Sequence, residues 1–190
     1  MRRPCQVHGA AVAVVGASPP PGARRFDASA PGPPEADAVV APVPGFALAV
    51  LTADCAPVGL GSPEGVYAAV HVGWRGLVAG VLPRTLEVMR ALGATSVQAG
   101  VGPCIGACCY EFGAADLAAL PPALAAAVGA RTRDGRPALD LRAGVRAQLA
   151  AGGAALALVA EDCTVCVPGS FTHRGNADEG RQALYAWRRA

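Results

Sequence analysis

The chain is 190 residues long, 53% hydrophobic and only 16% charged, a balance that suits a compact fold and excludes a disordered one. A formal net charge of +2 is too small to argue for nucleic acid or for an anionic membrane surface. No apolar run approaches the roughly 20 residues that cross a bilayer.

The N-terminus, Met1-Arg2-Arg3-Pro4-Cys5, imitates the charged start of a signal peptide. His8, Gly9, Gly16 and then Pro19-Pro20-Pro21 interrupt the apolar residues after it, so no convincing apolar region forms and a cytoplasmic protein is expected. In that setting the seven cysteines read as thiols or ligands and not as a disulfide framework. Residues 5–15 predict a short turn and a strand. From Gly16 to Pro44 the chain is rich in Pro, Gly and Ala and reads as a surface loop, with Glu35 to Val40 its only candidate for an ordered piece.

Gly45 to Leu51 and Val66 to Val72 are apolar runs with the turn cluster Gly61 to Gly65 between them, a hairpin-like signal. Leu77 to Leu92 has helical periodicity, with Pro83 as a kink or a start. A strand over Val97 to Val101 comes next, then helices over Gly113 to Val128 and Leu139 to Ala150 and a strand over Leu156 to Val159. A polar segment, Phe171 to Arg181, precedes a last apolar piece, Ala183 to Trp187. Strands alternating with helices predict a mixed α/β fold, sheets layered with flanking helices, in one domain over residues 1–190.

Two motifs carry the chemistry. Thr52-Ala53-Asp54-Cys55 and His71-Val72-Gly73-Trp74-Arg75-Gly76 each end an apolar run. Neighbouring strand ends would bring a thiol and an imidazole to one metal ion or one substrate atom. Taken alone, a cysteine is as often a small buried hydrophobe, and a histidine such as His8, His71 or His173 is usually a packed, hydrogen-bonded residue. His71 stands out because Gly73 and Gly76 let backbone approach a ligand and Arg75 offers a rigid donor fork. Asp54 would raise the Cys55 thiol pKa, which weakens a free nucleophile unless a cation offsets it. Asp54 also qualifies as the acceptor that orients a ligating imidazole.

Cysteines recur at Gly102-Pro103-Cys104-Ile105-Gly106-Ala107-Cys108-Cys109-Tyr110-Glu111 and at Cys163-Thr164-Val165-Cys166. The Cys-x3-Cys-Cys spacing differs from the Cys-x2-Cys of a zinc ribbon, and Cys163 and Cys166 lack a clear partner pair. The first stretch reads better as a loop whose backbone amides face a ligand.

In their order along the chain, Gln6-Val7-His8-Gly9, the two motifs above, the Gly102–Glu111 stretch, Asp162-Cys163-Thr164 and Gly180-Arg181 resemble the YfiH/laccase-domain family. That family has been called polyphenol oxidase and is regarded as purine nucleoside phosphorylase-type. The resemblance runs from His8 nearly to the C-terminus. It implies a layered α/β fold and a metal site of His8, Cys55 and His71, with zinc, or else copper, in a three-ligand site open at its fourth position. It also implies phosphorolysis of adenosine, inosine, guanosine and methylthioadenosine, with adenosine deamination as a second activity. Asp54, Arg75 and Arg174 become candidate catalytic residues. Gly73, Trp74, Gly102, Cys104 and Arg181 become candidates to bind substrate, and a purine nucleoside and phosphate the expected partners of a monomer or weak homo-oligomer. The chain differs from the family pattern in starting close to the first ligand, so a short N-terminal side is expected. It also differs in reading Phe171-Thr172-His173-Arg174-Gly175-Asn176 where the family has Phe-Ser-Tyr-Arg-Arg-Asp. The alternatives that remain are a copper phenol oxidase, a metal-free cysteine hydrolase and an inactive metal-binding protein.

Overall fold

The structure, a computed structural model, describes residues 1–27 and 29–189. Ala28, inside the expected 16–44 loop, and the last residue of the expected domain lie outside them. The chain runs β1 (Val12–Val14), β2 (Arg24–Arg25), β3 (Ala38–Ala41), β4 (Ala47–Thr52), β5 (Ala56–Gly61), β6 (Tyr67–Val72), α1 (Trp74–Ala79), α2 (Val81–Ala91) and β7 (Gln98–Val101). It continues through a 3-10 turn (Ala107–Cys109), α3 (Ala114–Ala118), α4 (Pro122–Val128), β8 (Gly129–Arg131), β9 (Pro137–Leu139), α5 (Leu141–Ala151), β10 (Ala155–Val159), α6 (His173–Asn176) and β11 (Gln182–Trp187).

A mixed seven-stranded sheet has the order β10-β7-β5-β6-β3-β1-β2, and β4 pairs with β11 in a second, antiparallel sheet. Side chains of a strand alternate between faces, and that alternation divides the core in two. On one face Ala38 and Val40 of β3 and Ala68 and Val70 of β6 pack with Leu82, Leu86 and Met89 of α2 and Val145 and Leu149 of α5. On the other, Val39, Ala41, Tyr67 and Ala69 pack with Leu48 and Val50 of β4. With both faces covered, β6 is buried along its whole length, which explains its unbroken apolar run. The layered α/β architecture is as expected. No helix among the described residues is long and apolar enough to cross a membrane.

Three expectations change. The hairpin is β5–β6, closed at Ser62–Gly65, where Gly65 takes φ +90° and its N–H bonds Ser62 O at 2.9 Å. β4 leaves for the other sheet, because the chain reverses at Asp54, itself at φ +85°. The stretch 16–44 is not all loop: it holds β2 and, on the ordered piece expected at Glu35 to Val40, β3, an interior strand in which Val39 and Val40 fit between β1 and β6. The expected helix over 113–128 is divided at Pro121 into α3 and α4, because a ring at that position cannot continue the ladder. Pro83 falls in the first turn of α2, where its missing N–H leaves no helical bond unmade.

Candidate functional site

β3 and β6 run antiparallel with Ala38 opposite Val70, so the next pair outward is Asp37 with His71. The two share a face, and His71 Nδ1 lies 2.8 Å from Asp37 Oδ1 with both side chains buried. The same carboxylate accepts the backbone N–H groups of Val7 (3.2 Å), His8 (2.9 Å) and Gly9 (2.7 Å). His8 is thereby held at φ +59°, a conformation few non-glycine residues adopt. Burial raises the Asp37 pKa, yet the hydrogen bonds from His71, Gly9 and Val7 outweigh it and leave the group below its ordinary value. One buried carboxylate therefore orients two histidines.

Cys55 enters from the turn after β4. Its Sγ is 3.7 Å from His8 Nε2, and the His8 and His71 rings meet edge to face with centroids 4.8 Å apart. One ligand atom from each of His8, Cys55 and His71 falls within 4.8 Å of the others, a donor set that could hold one ion. Burial, then the His71 charge, lowers the His8 pKa and favours the neutral ring that ligates. Gly73 leaves the room: a Cβ there would sit 2.8 Å from His8 Cδ2 and 3.0 Å from Cys55 Sγ. The donors, their orientation and the space between them fit a metal ion.

These side chains line a cavity of about 460 Å³ together with Arg3, Gln6, Trp74, Arg75, Tyr110, Arg174 and Arg181. None of the four arginines forms an ion pair among the described residues. Arg75 lies over the Trp74 ring at 4.6 Å and Arg174 over the Tyr110 ring at 5.1 Å. Arginines that are charged but lack carboxylate partners make a ready anion site.

Asp54 lines the cavity beside Cys55 but is not the acceptor that orients a ligating imidazole. The acceptor for His71 is Asp37. Asp54 Oδ1 accepts Thr164 Oγ1–H at 2.6 Å, its Oδ2 accepts the Arg174 N–H at 2.6 Å, and its carbonyl accepts Ile105 N–H at 2.9 Å. It thus joins three segments of the cavity wall that it lines. Gly102 and Cys104, expected to bind substrate, do not line the cavity. Gly102 abuts Pro57, and Cys104 is fully buried in a bridge to Cys163, so Ile105 supplies that wall. Gly73, Trp74 and Arg181 do line it. Sequence reasoning missed Asp37, Arg3, Gln6, Tyr110 and the cavity-lining role of His173. The cysteines at 108, 109, 163 and 166, read apart in the sequence, converge in space, and none of them lines this cavity.

A family model described as multi-copper polyphenol oxidoreductase laccase matches residues 1–189. Purine nucleoside phosphorylase SCO2081 of Streptomyces coelicolor is 44% identical over 188 residues, covering 96% of this chain and 72% of that protein. Purine nucleoside phosphorylase Rv2149c of Mycobacterium tuberculosis is 41% identical over 158 residues, covering 80% and 62%. Among solved structures, Neisseria meningitidis protein NMB0706 superposes with a TM-score of 0.79 at 29% identity, covering 99% of this chain and 74% of that one. YlmD from Geobacillus stearothermophilus gives 0.77 at 28% identity, covering 100% and 74%.

Proposed function

The chain belongs to the multi-copper polyphenol oxidoreductase laccase family, and within that family we propose that it is a zinc-dependent purine nucleoside phosphorylase. The substrates are adenosine, inosine, guanosine and methylthioadenosine, with adenosine deamination as a second activity. The observation that carries the reading is that a three-donor group and four arginines, without carboxylate partners among the described residues, line one cavity. The names of its relatives support the same class of reaction.

In this reading His8, Cys55 and His71 hold the zinc. When bound, the zinc supplies a Lewis acid that polarises a substrate oxygen or lowers the pKa of a bound water. Arg75, Arg174 and Arg181 bind the phosphate dianion and fix it for attack at the anomeric carbon of the ribose. The phosphate–carbon bond forms as the glycosidic bond breaks, and the bonding electrons leave with the base, which takes up a proton. Trp74 and Tyr110 offer aromatic faces to the flat base. Asp54 positions Arg174 through its backbone and does not touch the imidazoles. Tyr110, raised to about 12 chiefly by burial, stays a neutral hydrogen-bond donor.

A metal-free cysteine hydrolase is disfavoured, because burial and then Asp54 push the Cys55 thiol up to about 12, far from a usable thiolate. Copper has the family's description and a soft thiolate in its favour. Three histidines in the whole chain are few for the several imidazole-ligated coppers that four-electron reduction of oxygen requires. The deciding assay measures free base and ribose 1-phosphate from each nucleoside with zinc-loaded protein and with Cys55→Ala. Phosphate-dependent base release that Cys55→Ala abolishes supports the proposal. Release that persists in the metal-free protein overturns it.

A further inference from the structure

Cys108 and Cys109 lie on the 3-10 turn, and Cys163 and Cys166 lie on a loop more than fifty residues later. The two segments meet through the bridge between Cys104 and Cys163, where Thr164 N–H bonds Cys104 O at 3.2 Å. The sulfurs then gather in one group, with Cys108 Sγ 3.7 Å from Cys109 Sγ, Cys109 Sγ 3.4 Å from Cys166 Sγ and Cys108 Sγ 3.9 Å from Cys166 Sγ. All four lie within 4.8 Å of one another. A tetrahedral zinc with Zn–S bonds of about 2.3 Å holds its sulfurs about 3.8 Å apart. A disulfide needs about 2.05 Å, which none of these separations approaches. Thiolates capping different irons of an iron–sulfur cluster would stand apart by the width of the cluster, which these do not.

The surroundings suit a bound thiolate group. Gly106 N–H points at Cys163 Sγ at 3.2 Å, and Cys166 N–H and Val167 N–H both bond Cys163 O, folding the Cys-x2-Cys stretch into a tight turn. Arg133 donates its backbone N–H to Cys108 O at 3.1 Å and its guanidinium to Cys166 Sγ at 3.5 Å. Four thiolates around one divalent ion keep a net negative charge, and Arg133 is the cation placed against it.

We propose that Cys108, Cys109, Cys163 and Cys166 form a second metal site that binds one structural zinc. All four positions are filled by protein sulfur, so this ion has no place for substrate. Each thiol gives up its proton as the ion binds, and nothing is oxidised. The site stands on the four sulfurs; its effect on turnover rests on the function proposed above. Cys109 leads directly into Tyr110, over which Arg174 sits, and between Cys163 and Cys166 lies Thr164, which bonds Asp54. The zinc therefore ties together two segments of the cavity wall.

Metal analysis of protein purified under reducing conditions should find about two zinc ions per chain. Cys55→Ala should keep the second ion alone, and Cys109→Ser/Cys166→Ser should keep the first alone. Cobalt loaded into Cys55→Ala, whose four-cysteine group is intact, should give thiolate-to-cobalt charge transfer and the strong visible bands of tetrahedral cobalt. That measurement does not depend on whether the double variant folds. Cys55→Ala protein that binds neither zinc nor cobalt overturns the site, as does an intact mass with the deficit of a disulfide among these cysteines. With the first site filled, losing the second ion should raise nucleoside KM several-fold with kcat little moved. An unchanged KM overturns the wall role, and absence of all nucleoside activity in wild-type protein that carries both ions overturns only the function proposed above.

Discussion

His71 Nδ1 and Asp37 Oδ1 lie 2.8 Å apart in a buried pair, and the register of β3 against β6 puts them there. The carboxylate fixes which ring nitrogen of His71 is left to face Cys55 and His8, so the tautomer is set before any ion arrives. Asp37→Asn keeps the volume and removes the charge. It should lower zinc affinity about 10- to 100-fold, measured by competition with a chromophoric chelator, while circular dichroism stays native. An unchanged affinity would count against Asp37 as the residue that orients the site.

Arg75 has no carboxylate partner among the described residues and lines the cavity. Arg75→Ala should raise KM for phosphate about 10- to 100-fold, since a hydrogen bond to a charged group is worth about 1.5–3 kcal/mol. Arg75→Lys should recover only part of the loss, because an ammonium lacks the planar fork. Steady-state kinetics with phosphate as the varied substrate decide it, and a loss confined to nucleoside KM would move Arg75 to the other substrate.

Burial, then Asp54, pushes the Cys55 thiol from 9.0 up to about 12 in the metal-free protein. A raised value means that the folded chain holds this proton more tightly than the unfolded chain. The resulting stability is fully present below pH 9.0 and is lost as pH rises through about 12. An ion must displace the same proton, so zinc uptake at neutral pH should release acid and apparent affinity should rise with pH. Proton release measured in a weakly buffered calorimetric titration tests this, and Cys55→Ala should release less. Affinity that does not change with pH would argue against Cys55 as a ligand.

Gly144 of α5 lies where a Cβ would come within 2.4 Å of Leu77 Cδ2 and 2.8 Å of Val128 Cγ1. Gly144→Ala should destabilise the protein by about 1–3 kcal/mol through overpacking. The measurement is a urea midpoint, with zinc content unchanged in the folded fraction. Wild-type stability would show that α5 shifts freely on its neighbours.

Cys55 and His71 were legible in the sequence because each sits in a short motif at the end of an apolar run. His8, which precedes its strand, joined them only through the family resemblance. The carboxylate that orients the two histidines was not legible. Asp37 lies 34 residues from His71 in the Glu35 to Val40 piece, legible as ordered but not as an interior strand, and only strand register brings the two together. Asp54, the neighbour of Cys55 in sequence, drew attention away from it. β5 was hidden, since Pro57 and two glycines mask a strand that pairs on both edges; Pro57 is tolerated as its second residue. The four-cysteine group joins residues 57 and 58 positions apart, a separation at which spacing rules carry no information. Local chemistry was readable and cross-strand chemistry was not.

Asp54 reaches Thr164 and Arg174, 110 and 120 residues further along the chain, whereas His8 and His71 hang from Asp37 on the inner strands. The late part of the chain is thus anchored through Asp54 and the two histidines through Asp37, two separate carboxylates. Under the function proposed above, weakening the Asp54 contacts should open one wall of the cavity without first releasing the two histidines.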